Sequence, residues 1–254
     1  MKICIVGLEV LSVLMPGYEQ YRVGGEQVQL TLLGRALKKR GYEVSMVVLD
    51  YGQADELVYE GINIIKAYSV EGGVTGVRFI YPRLIKLWNA IKKADADVYY
   101  TSCAGFQVGV VAYFCKLYKR KCLYKIAHDN DCYPDKLLIK LWRDKKFYEY
   151  GIRNQHEILA QSEQQQKALF ENYGLASKTS IMLVDKPEET LGLEERDIDI
   201  LWVNNMRQFK RPDLVIELAK VMTECNVHII GGANEPDLYN KIEKIRGIIY
   251  NFMR

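Results

Sequence analysis

The chain has 254 residues, 49% hydrophobic and 26% charged, enough apolar material for one large domain or two modest ones. Its 35 basic and 32 acidic residues leave a formal +3, too even a balance to predict nucleic-acid binding. No uninterrupted apolar run approaches the ~20 residues that a bilayer-crossing helix needs, so no membrane span is expected.

The start, MKICIVGLEVLSVLMPG, reads as a buried strand at Lys2–Val6 rather than an export signal, because Glu9 interrupts the apolar run and no small-residue cleavage site follows. A loop punctuated by Gly and Pro runs from Gly7 to Gly25. It leads to a helix with Val28, Leu32, Leu33, Ala36 and Leu37 on one stripe, closed by Gly41. Strands are then expected at Val44–Leu49, Ile62–Ile65 and Asp97–Thr101, with a helix over Arg78–Lys93. Ala104–Leu117 is apolar enough for a largely buried helix, and Lys121–Ala127 forms a strand whose end delivers His128 into a loop. A helix near Lys136–Tyr150, a strand at Glu157–Ala160, a helix capped by Ser162 and a strand at Thr179–Val184 complete the alternation. So regular a rhythm predicts an α/β fold with a doubly wound parallel sheet and ligands beyond the carboxyl ends of its strands.

Lys186–Asp197, charged and without a core stripe, is the expected linker between a domain at 1–185 and a second at 198–254. The second is read as strand Ile198–Val203, helix Pro212–Met222, strand Val227–Gly231 and helix Glu235–Ile245, a partial layer of a fuller sheet. The six cysteines are too far apart for a zinc or redox C-x-x-C pair and read as reduced thiols of a cytoplasmic protein.

Several groups carry chemistry. Gly24 and Gly25 precede a helix, where glycines let the backbone approach an anionic ligand and free N–H groups attract it; a flexible turn is the plainer reading. A dinucleotide fingerprint is disfavoured, since GLEVLS after the first strand holds only Gly7, although Asp50 closes the second strand where a ribose carboxylate would sit. His128 sits at a strand end with Asp129 and Asp131 beside it and can donate a hydrogen bond or share a proton, whereas His156 and His228 fit structural roles. The D-x-D pair, without a third ligand, is read as solvated turn residues or contacts to a sugar hydroxyl rather than a metal site. Arg207, Lys210 and Arg211 stand beyond strand Ile198–Val203, where cations oppose the helix dipole and suit a phosphate. Tyr81, Leu84, Ile85, Leu87 and Trp88, with Arg83, Lys86, Lys92 and Lys93 nearby, fit either core packing with a basic outer face or a helix lying in a membrane surface.

In their order and spacing, GGEQVQLTLLGRALKKRGYEV, KIAHDND, ILAQSEQQQKALFENYGL and LWVNNMRQFKRPDLVIELAKVM followed by VHIIGG make the chain resemble glycosyltransferase family 4, from Met1 to about Gly232. The resemblance implies the GT-B fold of two facing Rossmann-like domains, here with an incomplete second one. It also implies transfer of a sugar, with retention, from a nucleotide-diphosphate sugar to an acceptor hydroxyl in glycan or polysaccharide synthesis. No cofactor or metal enters that scheme; the donor is a substrate, and the acceptor is a glycan, a lipid-linked sugar or a small glycoside. Gly24 and Gly25 would approach the donor, His128 would contact the transferred sugar, and Lys210 would offset the charge of the leaving diphosphate. The family's arginine five places before that lysine is Asn205 here, leaving Arg207 as a substitute. Its paired glutamates fall in a part of the second domain that this sequence does not include. The alternative is therefore a truncated, non-catalytic relative or a subunit needing a completing partner chain. Self-association through an unpaired sheet edge and peripheral membrane contact stay open as further expectations.

Overall fold

The computed structural model describes residues 1–21, 23–187, 189–190, 192–204, 208–231 and 249–251. The chain divides into two compact units, Met1–Asp185 and Lys186–Arg254.

In the first unit β1 (Lys2–Val6) leads through the short α1 (Leu11–Leu14) to α2 (Gly25–Lys39) and β2 (Glu43–Val48). A hairpin of β3 (Leu57–Tyr59) and β4 (Ile62–Lys66) follows, then α3 (Ile85–Ala94), β5 (Val98–Ser102), α4 (Phe106–Tyr118) and β6 (Lys121–Lys125). The unit finishes with α5 (Trp142–Arg153), β7 (Glu157–Ala160), α6 (Glu163–Tyr173) and the two-residue β8 (Lys178–Thr179). The strands form one sheet in the order β3-β4-β2-β1-β5-β6-β7-β8. Every pairing is parallel except β3 with β4. β1 is flanked by β2 and β5, so the chain winds first to one side of it and then to the other, and the switch point lies between β1 and β5.

The strands are apolar runs because both faces of the sheet are covered. Ile5, Met46, Val48 and Ile62 pack with Leu30 of α2, while Cys4, Val6, Val47 and Tyr99 pack with Leu87, Ile91 and Phe114 of α3 and α4. α4 and α5 meet closely enough that a Cβ on Gly109 would lie 2.2 Å from the carbonyl oxygen of Phe147. No cysteine among the described residues is joined in a disulfide. Among the described residues, no helix is long and apolar enough to cross a membrane.

Four expectations from the sequence are corrected. β3 escapes the α/β rhythm: Glu60 and Gly61, at φ 50° and 72°, form a two-residue hairpin loop with both residues in the left-handed region that such a turn needs. The helix expected over Arg78–Lys93 is interrupted near its start: Phe79–Leu84 forms a separate π-type helical turn in which Tyr81, before Pro82, lies at φ −129° and ψ 124°, and the regular α3 begins at Ile85. The helix expected from Lys136 starts at Trp142; Leu137 and Ile139 alternate inward on an irregular segment that exposes Leu138. The strand expected over Thr179–Val184 shrinks to Lys178–Thr179, since Gln29 of α2 binds the backbone of Leu183 instead, at 2.7 Å to its carbonyl and 2.8 Å from its N–H.

The second unit contains β9 (Ile200–Val203), α7 (Pro212–Val221), β10 (Val227–Ile230) and β11 (Ile249–Asn251). β10 pairs in parallel with β9 and β11. Val215 and Ile216 of α7 pack on Val227 and Ile229. The expected helix Glu235–Ile245 lies outside the described residues.

Candidate active-site cleft

A cleft of about 350 Å³ opens at the carboxyl ends of β1, β2, β4 and β5, beside the switch point. Its wall includes the turn after β1 and the first turns of α2 and α4, with Glu9, Glu26, Gln27, Tyr68, Arg83 and Gln107 as its polar side chains. Glu9 accepts a hydrogen bond from Gln27 at 2.9 Å. Arg83 donates through Nη2 to the carbonyl of Val70 at 3.0 Å and lies 5.9 Å from the centre of the Tyr68 ring. Its Nε is buried without a hydrogen-bond partner in the protein, an N–H left for a ligand oxygen. Burial pushes the Tyr68 phenol up to about 12, so the group stays neutral at physiological pH.

Gly24 caps α2 in an extended conformation, φ −160° and ψ 174°, that any residue adopts. Backbone freedom is therefore not what a glycine supplies here. A Cβ on Gly25 would meet nothing within 4 Å, and no side chain caps the helix, so the first turn of α2 stands beside open space. The two glycines do not line the cleft; the next two residues, Glu26 and Gln27, do.

His128 follows β6 and is exposed, outside the walls of the cleft. It caps the 3-10 turn Asp129–Cys132, its Nδ1 accepting from the Asn130 N–H at 3.2 Å. In the neutral ring that bond places the proton on Nε2, leaving it a donor. Asp131 closes the turn from the other end. Its Oδ2 accepts from the backbone N–H groups of His128 at 3.2 Å and Ala127 at 3.3 Å and from the Tyr124 hydroxyl at 3.2 Å. Asp131 is only 4% exposed, so it is not the solvated turn residue that the sequence suggested. Burial raises its pKa, and the bonds from His128 and Ala127 act against that rise. Asp129 is exposed and accepts from Gln165 at 2.8 Å. The two carboxylates of the D-x-D pair thus have separate structural partners. Gln161, donating to the carbonyl of Ile126 at 2.7 Å, adds a second tie from the α6 end to this loop.

In the second unit Lys210 ends a 3-10 turn, Gln208–Lys210, and is exposed. Arg207 and Asn205 lie outside the described residues. Arg211 does not converge on a phosphate site: at φ 53° and ψ 51° it turns its guanidinium onto Asp213 of the first turn of α7, 2.7 Å away. The dipole conflict read from the sequence is resolved by that acid.

The sequence missed Arg83, Tyr68, Glu9 and Gln107 as one group because they are scattered along the chain and meet only through the order of the strands. The signal for Arg83 was present in Pro82, which ends the helical reading and turns that residue from an outer face toward the cleft.

The fold is shared with solved enzymes of low sequence identity. The chain matches Alr3699/HepE of Anabaena, solved in complex with UDP and glucose, with a TM-score of 0.68 at 12% identity, over 100% of this chain and 70% of that one. It matches AviGT4, a glycosyltransferase of avilamycin A biosynthesis, with a TM-score of 0.56 at 14% identity, over 99% and 63%. It also matches the UDP-GlcNAc 2-epimerase of Neisseria meningitidis, solved bound to UDP-GlcNAc, with a TM-score of 0.56 at 10% identity, over 100% and 72%. No curated protein matches the sequence significantly. Residues 23–182 match the family model of Glycosyltransferase Family 4, and the chain belongs to that family.

Proposed function

We propose that this chain transfers a sugar from a nucleoside-diphosphate sugar, with UDP as the first nucleotide to test, to an acceptor hydroxyl, with retention, in glycan or polysaccharide assembly. The observation that carries the reading is the family match over residues 23–182. The polar cleft at the switch point supports it, and the choice of UDP follows the ligands of HepE and the Neisseria epimerase.

In this reading the first unit holds the acceptor. The carboxylates of Glu9 and Glu26 accept from its hydroxyls, while Arg83 and Gln107 donate to its oxygens. His128 donates from Nε2 to the transferred sugar. Charge builds on the departing diphosphate in the transition state, so cations that meet it there lower the barrier; Lys210 and Arg207 take that role. The open first turn of α2 at Gly24 and Gly25 adds backbone N–H groups for donor or acceptor oxygens.

The test is calorimetric titration with UDP, GDP and their sugars, followed by product analysis with a panel of acceptor glycans. One nucleotide should bind saturably, with Lys210→Ala weakening it about tenfold, the worth of one charged phosphate contact. His128→Ala should lower turnover about a hundredfold with donor affinity kept, the pattern of a contact made in the transition state. Absence of binding by the folded chain would overturn the proposal. Interconversion of the nucleotide sugar without transfer would replace it by an epimerase, and binding without either reaction by a non-catalytic subunit.

A further inference from the structure

We propose that the helical face built from α3, α4 and α5 docks on an anionic lipid bilayer. This rests on the first unit alone and is independent of the transferase reading.

A groove of about 690 Å³ lies between these helices, walled by Ile85 and Trp88 of α3, Tyr113 of α4, and Phe147 and Tyr150 of α5. Lys146 is the only charged residue on its wall. The apolar surface continues beyond the groove. Leu138, Leu141 and Trp142, on the approach to α5, are 69%, 54% and 78% exposed, and Ile80, Tyr81 and Ile85 are exposed at the approach to α3. The two approaches touch, since Arg143, next to Trp142, lies 3.3 Å over the ring of Phe79, next to Ile80. Water-exposed leucine and tryptophan at this density mark a surface that is covered in use.

The charge around it names the cover. From Lys136 to Lys146 the sequence KLLIKLWRDKK is formally +4 in a chain whose total is +3; Arg143 pairs with Asp144, Lys146 with Glu149 and Lys145 with the carbonyl of Pro134, so the exposed Lys136 and Lys140 are the cations best placed to reach lipid phosphates. The rest of the chain is therefore formally −1, and this segment carries the basic excess. Tryptophan and tyrosine beside lysines suit the headgroup layer, where rings sit at the apolar boundary and ammonium groups reach phosphates. The backbone allows the immersion: Leu137 and Ile139 anchor the segment in the core, so alternation turns Leu138 and Lys140 outward together.

The sequence left this surface open between core packing with a basic outer face and a helix lying in a membrane surface. Leu87 is fully buried in the core, while Ile85 and Tyr81 are exposed.

Vesicle flotation tests the proposal, with vesicles of phosphatidylcholine alone and of phosphatidylcholine with phosphatidylglycerol. The full chain should float with the anionic vesicles and be released by high salt, with its tryptophan fluorescence shifting to the blue, a shift that Trp142→Phe reduces. A Leu138→Ser, Leu141→Ser, Trp142→Ser variant, altered only at exposed positions, should keep the wild-type melting temperature and lose flotation. Lys136→Glu with Lys140→Glu should weaken it about tenfold or more, from about 1 kcal/mol per cation near the surface. Equal flotation of the triple variant, equal flotation on neutral vesicles, or no flotation of the wild type would each overturn the proposal. A dimer in sedimentation velocity that the triple variant abolishes, without flotation, would overturn it in favour of a chain–chain interface.

Discussion

The cleft at the strand ends and the groove between α3, α4 and α5 belong to one unit, yet they offer a ligand opposite chemistry. The cleft gathers two carboxylates, two amides and a guanidinium in about 350 Å³, whereas the groove is about 690 Å³ of aromatic and aliphatic wall with one lysine. Polar side chains converge where strands and helices end, because there the backbone stops consuming its own hydrogen-bonding capacity and loops can turn inward. The groove lies along helix sides, where the backbone is already satisfied and only side-chain shape remains to be matched. Recognition by hydrogen bonds is thus confined to the first surface, and apolar coverage to the second.

That contrast can be broken at its base by Gly109→Val, which forces a side chain against the backbone of Phe147 at the floor of the groove. The expected cost is about 3 kcal/mol in urea unfolding. A loss below about 1 kcal/mol would mean that α4 and α5 are not held as closely as described. On the polar side, Asp131→Ala should cost about 2–3 kcal/mol, since it strands the N–H groups of Ala127 and His128 and the hydroxyl of Tyr124. Its unfolding midpoint, compared with that of Asp129→Ala, checks that the two acids have different roles. Arg83→Met sharpens the comparison further: it should weaken acceptor-glycan binding about tenfold while leaving vesicle flotation and stability almost unchanged. A matching fall in stability would make Arg83 a structural residue.

The smallest expected effect concerns Lys125, buried on β6, whose ammonium donates to the carbonyl of Ile181 at 3.4 Å. Burial lowers its pKa below the unfolded value near 10.5, so the native state binds its proton less tightly than the unfolded chain does. Wild-type stability should therefore rise as pH climbs from the lowered folded pKa toward 10.5. Lys125→Met, within about 1 kcal/mol of wild type at neutral pH, should become relatively less stable across that window. Parallel stability curves would remove the burial argument.

Elements whose signal is local were legible. β1 and β7 occupy the expected residues, and Ser162 caps α6 by accepting from the Gln165 N–H at 3.2 Å. Where a residue pattern satisfies two geometries, the neighbours decided. The stretch from Leu137 to Leu141 suits a helix or an alternating chain, and it stays irregular with Leu137 and Ile139 packed against the core. The end of the first unit has strand-like composition, but Gln29 competes successfully for the backbone of Leu183. The position of His128 after β6 was legible because a strand end is a local feature. The burial of Asp131 was not, since it depends on Tyr124 of β6 and on packing against α5 and α6.

The sequence by itself determined the alternation of strands and helices, the α/β class and the chain positions of His128, Gly24 and Gly25, because periodicity, glycine and proline act over a few residues. Only the tertiary structure decided that Arg83 meets Glu9 across a cleft, that Asp131 is internal and that α3, α4 and α5 leave an apolar groove. Those outcomes follow from strand order and helix contact, which join residues far apart along the chain and leave no periodic trace in it.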